Sequence, residues 1–222
     1  MSYLLLFLSV VVGYAVALML RSKEMKHMAV FLAFSGAFLL SITVFELLPE
    51  VFSENSKSIG VYIMAGILLQ ILLEFFSKGA EHGHIHLHSE KRTFPWMLFL
   101  SLSIHAFLEG FPISDHNHLL LGVLVHKIPV AIILSYFFLQ ANYKRSTTIL
   151  FLVLFGMMTP LGNWIGAHAV WVQQIKVEVT AIVIGIFLHV STTILFESSK
   201  NHTFNLSKMT AVIIGVLLAY LL

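Results

Sequence analysis

Eight apolar runs, each long enough to cross a bilayer, leave this chain little choice of fold. They lie at roughly 3–20, 28–48, 59–76, 95–113, 119–139, 147–170, 179–196 and 208–222, and a run of about 17 to 25 such residues spans the hydrocarbon core as a helix. In lipid every backbone N–H and C=O needs a partner inside the protein, which an α-helix supplies within its own segment. The expectation is an all-α, polytopic membrane protein with eight transmembrane helices, a single domain over 1–222 with one longer loop at about 77–94. The last run is short, so its span requires the C-terminus to rest at the interface. Only 11% of residues are charged, against about 25% in soluble domains.

The first run is apolar from Tyr3, has no basic stretch before it and is followed by Arg21, Lys23 and Lys26. It therefore reads as a spanning helix rather than a cleavable signal. Basic residues mark cytoplasmic loops, and they alternate here. Arg21, Lys23 and Lys26 lie in the first loop, Lys78, Lys91 and Arg92 in the third, Lys144 and Arg145 in the fifth, and Lys200 and Lys208 at the seventh. The even loops hold only Lys57 and Lys176, which puts both termini outside. A net charge of +2 spread over short loops gives nucleic acid nothing to bind, so membrane lipid is the expected surrounding. Cysteine is absent, which leaves imidazole, carboxylate, Met sulfur and backbone oxygen as metal ligands.

Ionisable residues inside apolar runs cost roughly 2 to 4 kcal/mol each, so they face a cavity, a partner or a bound ion. The stretch 105–131, HAFLEGFPISDHNHLLLGVLVHKIPVA, holds several. His105 and Glu109 are four apart, hence one turn apart on one helical face, and can share a divalent ion. Pro112 disturbs the bond to the carbonyl of Leu108, and Pro129 that to Val125 beside His126, which offers further backbone oxygen. His105, Glu109 and His126 are the candidate metal ligands. Lys127, about 12 Å deep at 1.5 Å per residue, either pairs with Glu109, stands in place of a second cation, or caps a wet vestibule.

Other residues extend the pattern. Glu46 in FELLPE, with Asp115, His116 and His118 in SDHNH, could gather cations at the outer mouth, although a polar turn would look similar. His82, His84, His86 and His88 alternate in EHGHIHLHS, a composition that binds metal without fixed geometry. MMTPLGNWIGA in the sixth run, with Pro160, reads as a bend around a pathway. His189 with Ser191, Thr192 and Thr193 makes a polar face on the seventh.

These residues resemble those of the ZIP (zinc-regulated, iron-regulated transporter-like) metal-ion transporters over nearly the whole chain. The resemblance is carried by LLPE closing the second run, HAFLEG in the fourth, HKIPVA in the fifth, TPLGNWIG in the sixth and GIFLHVSTTILFE in the seventh. It implies uptake of a divalent metal, Zn2+ first and Fe2+, Mn2+ or Cd2+ as alternatives, toward the cytoplasm. It also implies a helix group containing the fourth and fifth helices that moves against a scaffold, often in a homodimer, in the plasma membrane or, in a bacterium, the inner membrane. His105 and Glu109 match the family's ligands on the fourth helix and His126 the first ligand on the fifth. Three positions depart: Ala106 stands where Asn or Ser is common, Lys127 where a carboxylate is common outside one branch, and Val130 where Glu or His is frequent. A mononuclear site follows, with Lys127 as the substitute for a second ion.

An importer that uses no organic cofactor and performs no enzymatic step is thus the leading expectation. Its neutral imidazoles would lose metal as pH falls through the histidine range near about 6.5. An intramembrane zinc hydrolase could use the same ligands, but HExxH is absent and Glu109 is already a ligand. An exporter or metal sensor would need no different residues.

Overall fold

The computed structural model describes residues 1–20, 28–54, 58–77, 79, 94–197 and 206–222, apart from the side chains of Asp115 and Glu197. Among the described residues the secondary structure is helical. In order the helices are α1 (Ser2–Met19), α2 (Met28–Ile42), α3 (Leu48–Ser53), α4 (Ile59–Ser77), α5 (Trp96–Gly110), α6 (Asn117–Gln140), α7 (Arg145–His168), α8 (Val170–Gln174), α9 (Lys176–Glu197) and α10 (Leu206–Tyr220). Among the described residues seven helical stretches are long and apolar enough to cross a membrane, and Leu206–Tyr220 is a shorter apolar helix. The fourth and fifth runs of the sequence are α5 and α6.

Prolines shape the elements around the site in three ways. A π-helical turn, Thr43–Leu47, joins α2 to α3 immediately before Pro49, whose ring crowds the carbonyl four residues back and widens the ladder there. Pro112 ends α5, and the chain continues as a 3-10 turn, Phe111–Asp115. The Leu108 carbonyl accepts the Phe111 N–H, so the oxygen expected to be released beside Glu109 is engaged in that turn. Pro129 and Pro160, by contrast, lie inside continuous helices.

The interior is layered by helix pairs. α5 packs between α4 and α7, α6 against α1 and α2, and α9 against α2 and α4, while α10 lies on α2. One buried cluster joins Leu39, Ile42, Leu47, Leu119 and Phe187, and another joins Leu134, Phe138, Phe151 and Phe155. Several buried hydroxyls bond back to their own helices, as Ser41 does to Ala37 O at 2.8 Å and Ser135 to Ala131 O at 2.6 Å, which satisfies those two without cross-links. Val61, Leu68, Phe75 and Leu217 turn outward, the arrangement expected of a bundle whose solvent is lipid.

The segment TPLGNWIG serves close helix packing. α7 runs unbroken through Pro160, and a methyl at Gly162 would run into the Phe107 carbonyl and meet the Gly110 Cα at 3.3 Å. Gly162 admits the backbone of α5 and Gly166 that of the turn after it. This close approach brings Thr159 to Glu109.

Candidate functional site

Four helices contribute side chains to one buried polar centre. Glu109 on α5 is 2% exposed, as is Lys127 on α6, and Thr159 on α7 is fully buried. The Lys127 ammonium donates to Glu109 Oε1 at 2.5 Å and to Thr159 Oγ1 at 2.5 Å. Thr159 in turn donates its hydroxyl proton to Glu109 Oε1 at 2.7 Å. The ammonium also lies 4.8 Å from the centre of the Phe155 ring, a further favourable setting for a desolvated cation. One carboxylate oxygen of Glu109 is thus committed to a fixed cation and a hydroxyl.

The other oxygen faces histidine. His105 Nε2 lies 3.6 Å from Glu109 Oε2, and His105 Nδ1 lies 3.0 Å from Gln70 Oε1 on α4. An amide oxygen only accepts, so Nδ1 carries the proton and donates it to Gln70. In the neutral ring Nε2 then presents a lone pair to a carboxylate oxygen. Two acceptors facing each other in a buried site are reconciled by a positive charge between them, a proton on Nε2 or a metal ion. Their separation is close to the about 3.3 Å that two ligands adopt around an ion bonded at about 2.0–2.1 Å.

His126 is buried on α6, adjoining Lys127 in the chain. The structure brings His105 to Glu109 and Lys127 to Glu109; among the described residues no three His, Asp or Glu side chains gather at one metal-sized point. The expected pairing of Lys127 with Glu109 is present.

At the end of the bundle formed by α3 and the turn before α6, two further pairs occur. His118 Nδ1 donates to Glu46 Oε1 at 2.8 Å. His116 Nε2 lies 3.1 Å from Glu50 Oε2. Glu46 sits in the π-helical turn and Glu50, four residues on, in α3. The side chain of Asp115 and the tract His82, His84, His86, His88 lie outside the described residues.

Gln70, Glu50 and Thr159 were not among the residues singled out from the sequence. Gln70 could have been noticed as a polar residue within an apolar run, and Thr159 as part of TPLG. Nothing local to Glu50 sets it apart from an interfacial carboxylate.

A family model described as ZIP zinc transporter matches residues 77–222. The chain is 30% identical over 121 residues to a Danio rerio protein called zinc transporter ZIP1, covering 50% of this chain and 39% of that protein. It is 27% identical over 150 residues to protein zntD of Dictyostelium discoideum, covering 58% of this chain and 22% of that one. The chain thus spans well under half the length of either relative.

Proposed function

That this chain belongs to the ZIP zinc transporter family is the premise from which we propose that it moves a divalent metal ion, zinc first, across the plasma membrane toward the cytoplasm through the centre on α5 and α6. The observation that carries this reading is the buried facing of His105 Nε2 and Glu109 Oε2 at 3.6 Å. Gln70 holds the imidazole in the tautomer that leaves Nε2 able to ligate, the usual service of a hydrogen-bonding partner behind a metal-binding histidine. His126 is the candidate third ligand, with water or the Val125 carbonyl released by Pro129 to complete the shell. Fe2+, Mn2+ and Cd2+ suit the same nitrogen and oxygen donors.

Lys127 acts in this reading as a permanent cation in the place of a second metal. It balances the charge of Glu109 from one oxygen and holds the carboxylate still. An ion on the other oxygen would lie about 6 Å from the ammonium, and at an effective dielectric of about 20 the repulsion is of order 5 kcal/mol. That weakens binding and speeds release, which suits a carrier better than a closed four-ligand structural site. The distribution of basic residues supports an orientation with the end of α4 near Ser77 toward the cytoplasm and the Glu46–His118 pair outside.

Uptake by proteoliposomes tests the proposal. The His105→Ala, Glu109→Ala double variant should lose zinc uptake, and unchanged uptake would refute the site. Lys127→Ala should retain binding but change the ranking among zinc, iron, manganese and cadmium; an unchanged ranking discards the second-cation role. The sign of the flux in vesicles of known orientation decides between import and export.

A further inference from the structure

Glu74 and His189 form a pair that the central site does not use. α4 and α9 touch backbone to backbone, since a methyl at Gly66 would meet the Gly185 Cα at 3.1 Å and collide with the Ile182 carbonyl. Glu74 lies two turns beyond Gly66 on α4, and His189 one turn beyond Gly185 on α9. The close crossing brings the two side chains together, and His189 Nε2 donates to Glu74 Oε2 at 2.6 Å.

We propose that Glu74 and His189 make a second station for a divalent cation of the zinc type, separate from the centre on His105 and Glu109. An imidazole nitrogen and a carboxylate oxygen are a zinc donor pair. Each side chain is 20% exposed, whereas the central Glu109 and Lys127 are 2% exposed, and Glu74 stands in the last turn of its span, at the end of the bundle where water would fill the remaining coordination positions. Seating an ion requires the 2.6 Å hydrogen bond to open to about 3.3 Å, given ion–ligand bonds of about 2.0–2.1 Å. Partly exposed side chains can make that move. Thr192 and Thr193 follow His189 by three and four residues on the same face. Thr192 donates its hydroxyl proton to Leu188 O at 2.6 Å and Thr193 to His189 O at 2.9 Å, so their oxygen lone pairs stay available to an ion or its water.

Placement gives the station its meaning. Gln70, which holds His105, precedes Glu74 by one turn on α4, so one face of that helix joins the two sites. α4 rises about 1.5 Å per residue, and Glu74 lies in its last turn, at the end remote from α3. An ion that leaves His105 and Glu109 along α4 in that direction meets Glu74 and His189 next. The inference deepens the transport reading, and its test measures binding without flux.

The chain has no cysteine, so a single introduced thiol reports on one position. In the purified full chain, His189→Cys should give a thiolate-to-cadmium charge-transfer band when titrated with Cd2+, saturating at a single equivalent and displaced by Zn2+. Adding Glu74→Gln should weaken that titration by about tenfold or more, while adding His105→Ala and Glu109→Ala should leave it unchanged. Absence of the band at millimolar cadmium, or indifference to Glu74→Gln, would overturn the proposal. Should His189→Cys fail to fold, Glu74→Cys, with and without His189→Ala, provides the same readout. A chain that shows the band but transports nothing would refute the transport reading alone.

Discussion

The same two residue types, histidine and glutamate, are paired in the centre of the bundle and at its α3 mouth, but their surroundings differ. The mouth pairs are open: side-chain exposures are 41% and 30% for His118 and Glu46, and 13% and 42% for His116 and Glu50. In the centre the exposures are 6% for His105 and 2% for Glu109, and a lysine and a threonine are bound to the carboxylate as well. A hydrated ion pair gains about 0–1 kcal/mol, whereas removing one partner of a buried pair costs about 3–5 kcal/mol because the other charge is stranded. Chemistry that is nearly neutral for stability at the mouth is therefore structural in the centre.

The sharpest way to break this contrast is to remove the carboxylates one at a time. Glu109→Ala strands the Lys127 ammonium between Thr159 and Phe155 and should cost about 3–5 kcal/mol in detergent unfolding. Glu46→Ala should cost less than about 1 kcal/mol. Lys127→Met added to Glu109→Ala should recover most of the stability but none of the uptake, since the lost charge is then matched while the ligand is still missing. Equal losses for Glu109→Ala and Glu46→Ala, or no rescue by Lys127→Met, would show that burial does not separate the two regions.

The contrast also shows what a sequence can disclose. The apolar runs report membrane-length helices directly, because lipid imposes both their length and their helicity. His105 and Glu109 are visible as a pair because i,i+4 spacing is local. Gln70 and Thr159 are 35 and 50 residues from the side chains they hold, and no periodicity reaches that far. Their positions depend on which helices adjoin, and that depends in turn on glycines such as Gly162 and Gly66, whose use the sequence does not distinguish from a bend. Glu74 and His189 are 115 residues apart and meet only where α9 crosses α4. The Leu108 carbonyl illustrates the opposite error: proline does remove a donor, but a 3-10 turn supplied another.

A smaller effect concerns Gln70, which orients the central histidine without touching the ion. Gln70→Leu removes the acceptor of His105 Nδ1–H, so the ring can shift its proton to Nε2 and lose its ligating lone pair. Metal affinity should fall about 10–100-fold, and stability by about 1–3 kcal/mol for the buried group left unmatched. Gln70→Glu restores an acceptor at the same reach and should recover affinity in part. Isothermal titration with zinc measures this, and a Leu variant with unaltered affinity would mean that the tautomer is set elsewhere.

The smallest expected effect lies at the mouth. Replacing Glu46 and His118 by glutamine keeps the approximate size of each side chain and removes a carboxylate that attracts cations from solution. Exposed charges act on encounter more than on the bound state and are screened over about 8–10 Å at ordinary salt. Uptake by this double variant should therefore fall only a few-fold at low zinc, recover at saturating zinc, and show a weaker dependence on ionic strength than the native chain. The centre would be unaffected, because Glu109 Oε1 is already matched by Lys127 at 2.5 Å. If the maximal rate fell as far as it does on loss of Glu109, the π-helical turn that holds Glu46 would have to be part of the moving machinery, and the mouth and the centre would be one site rather than two.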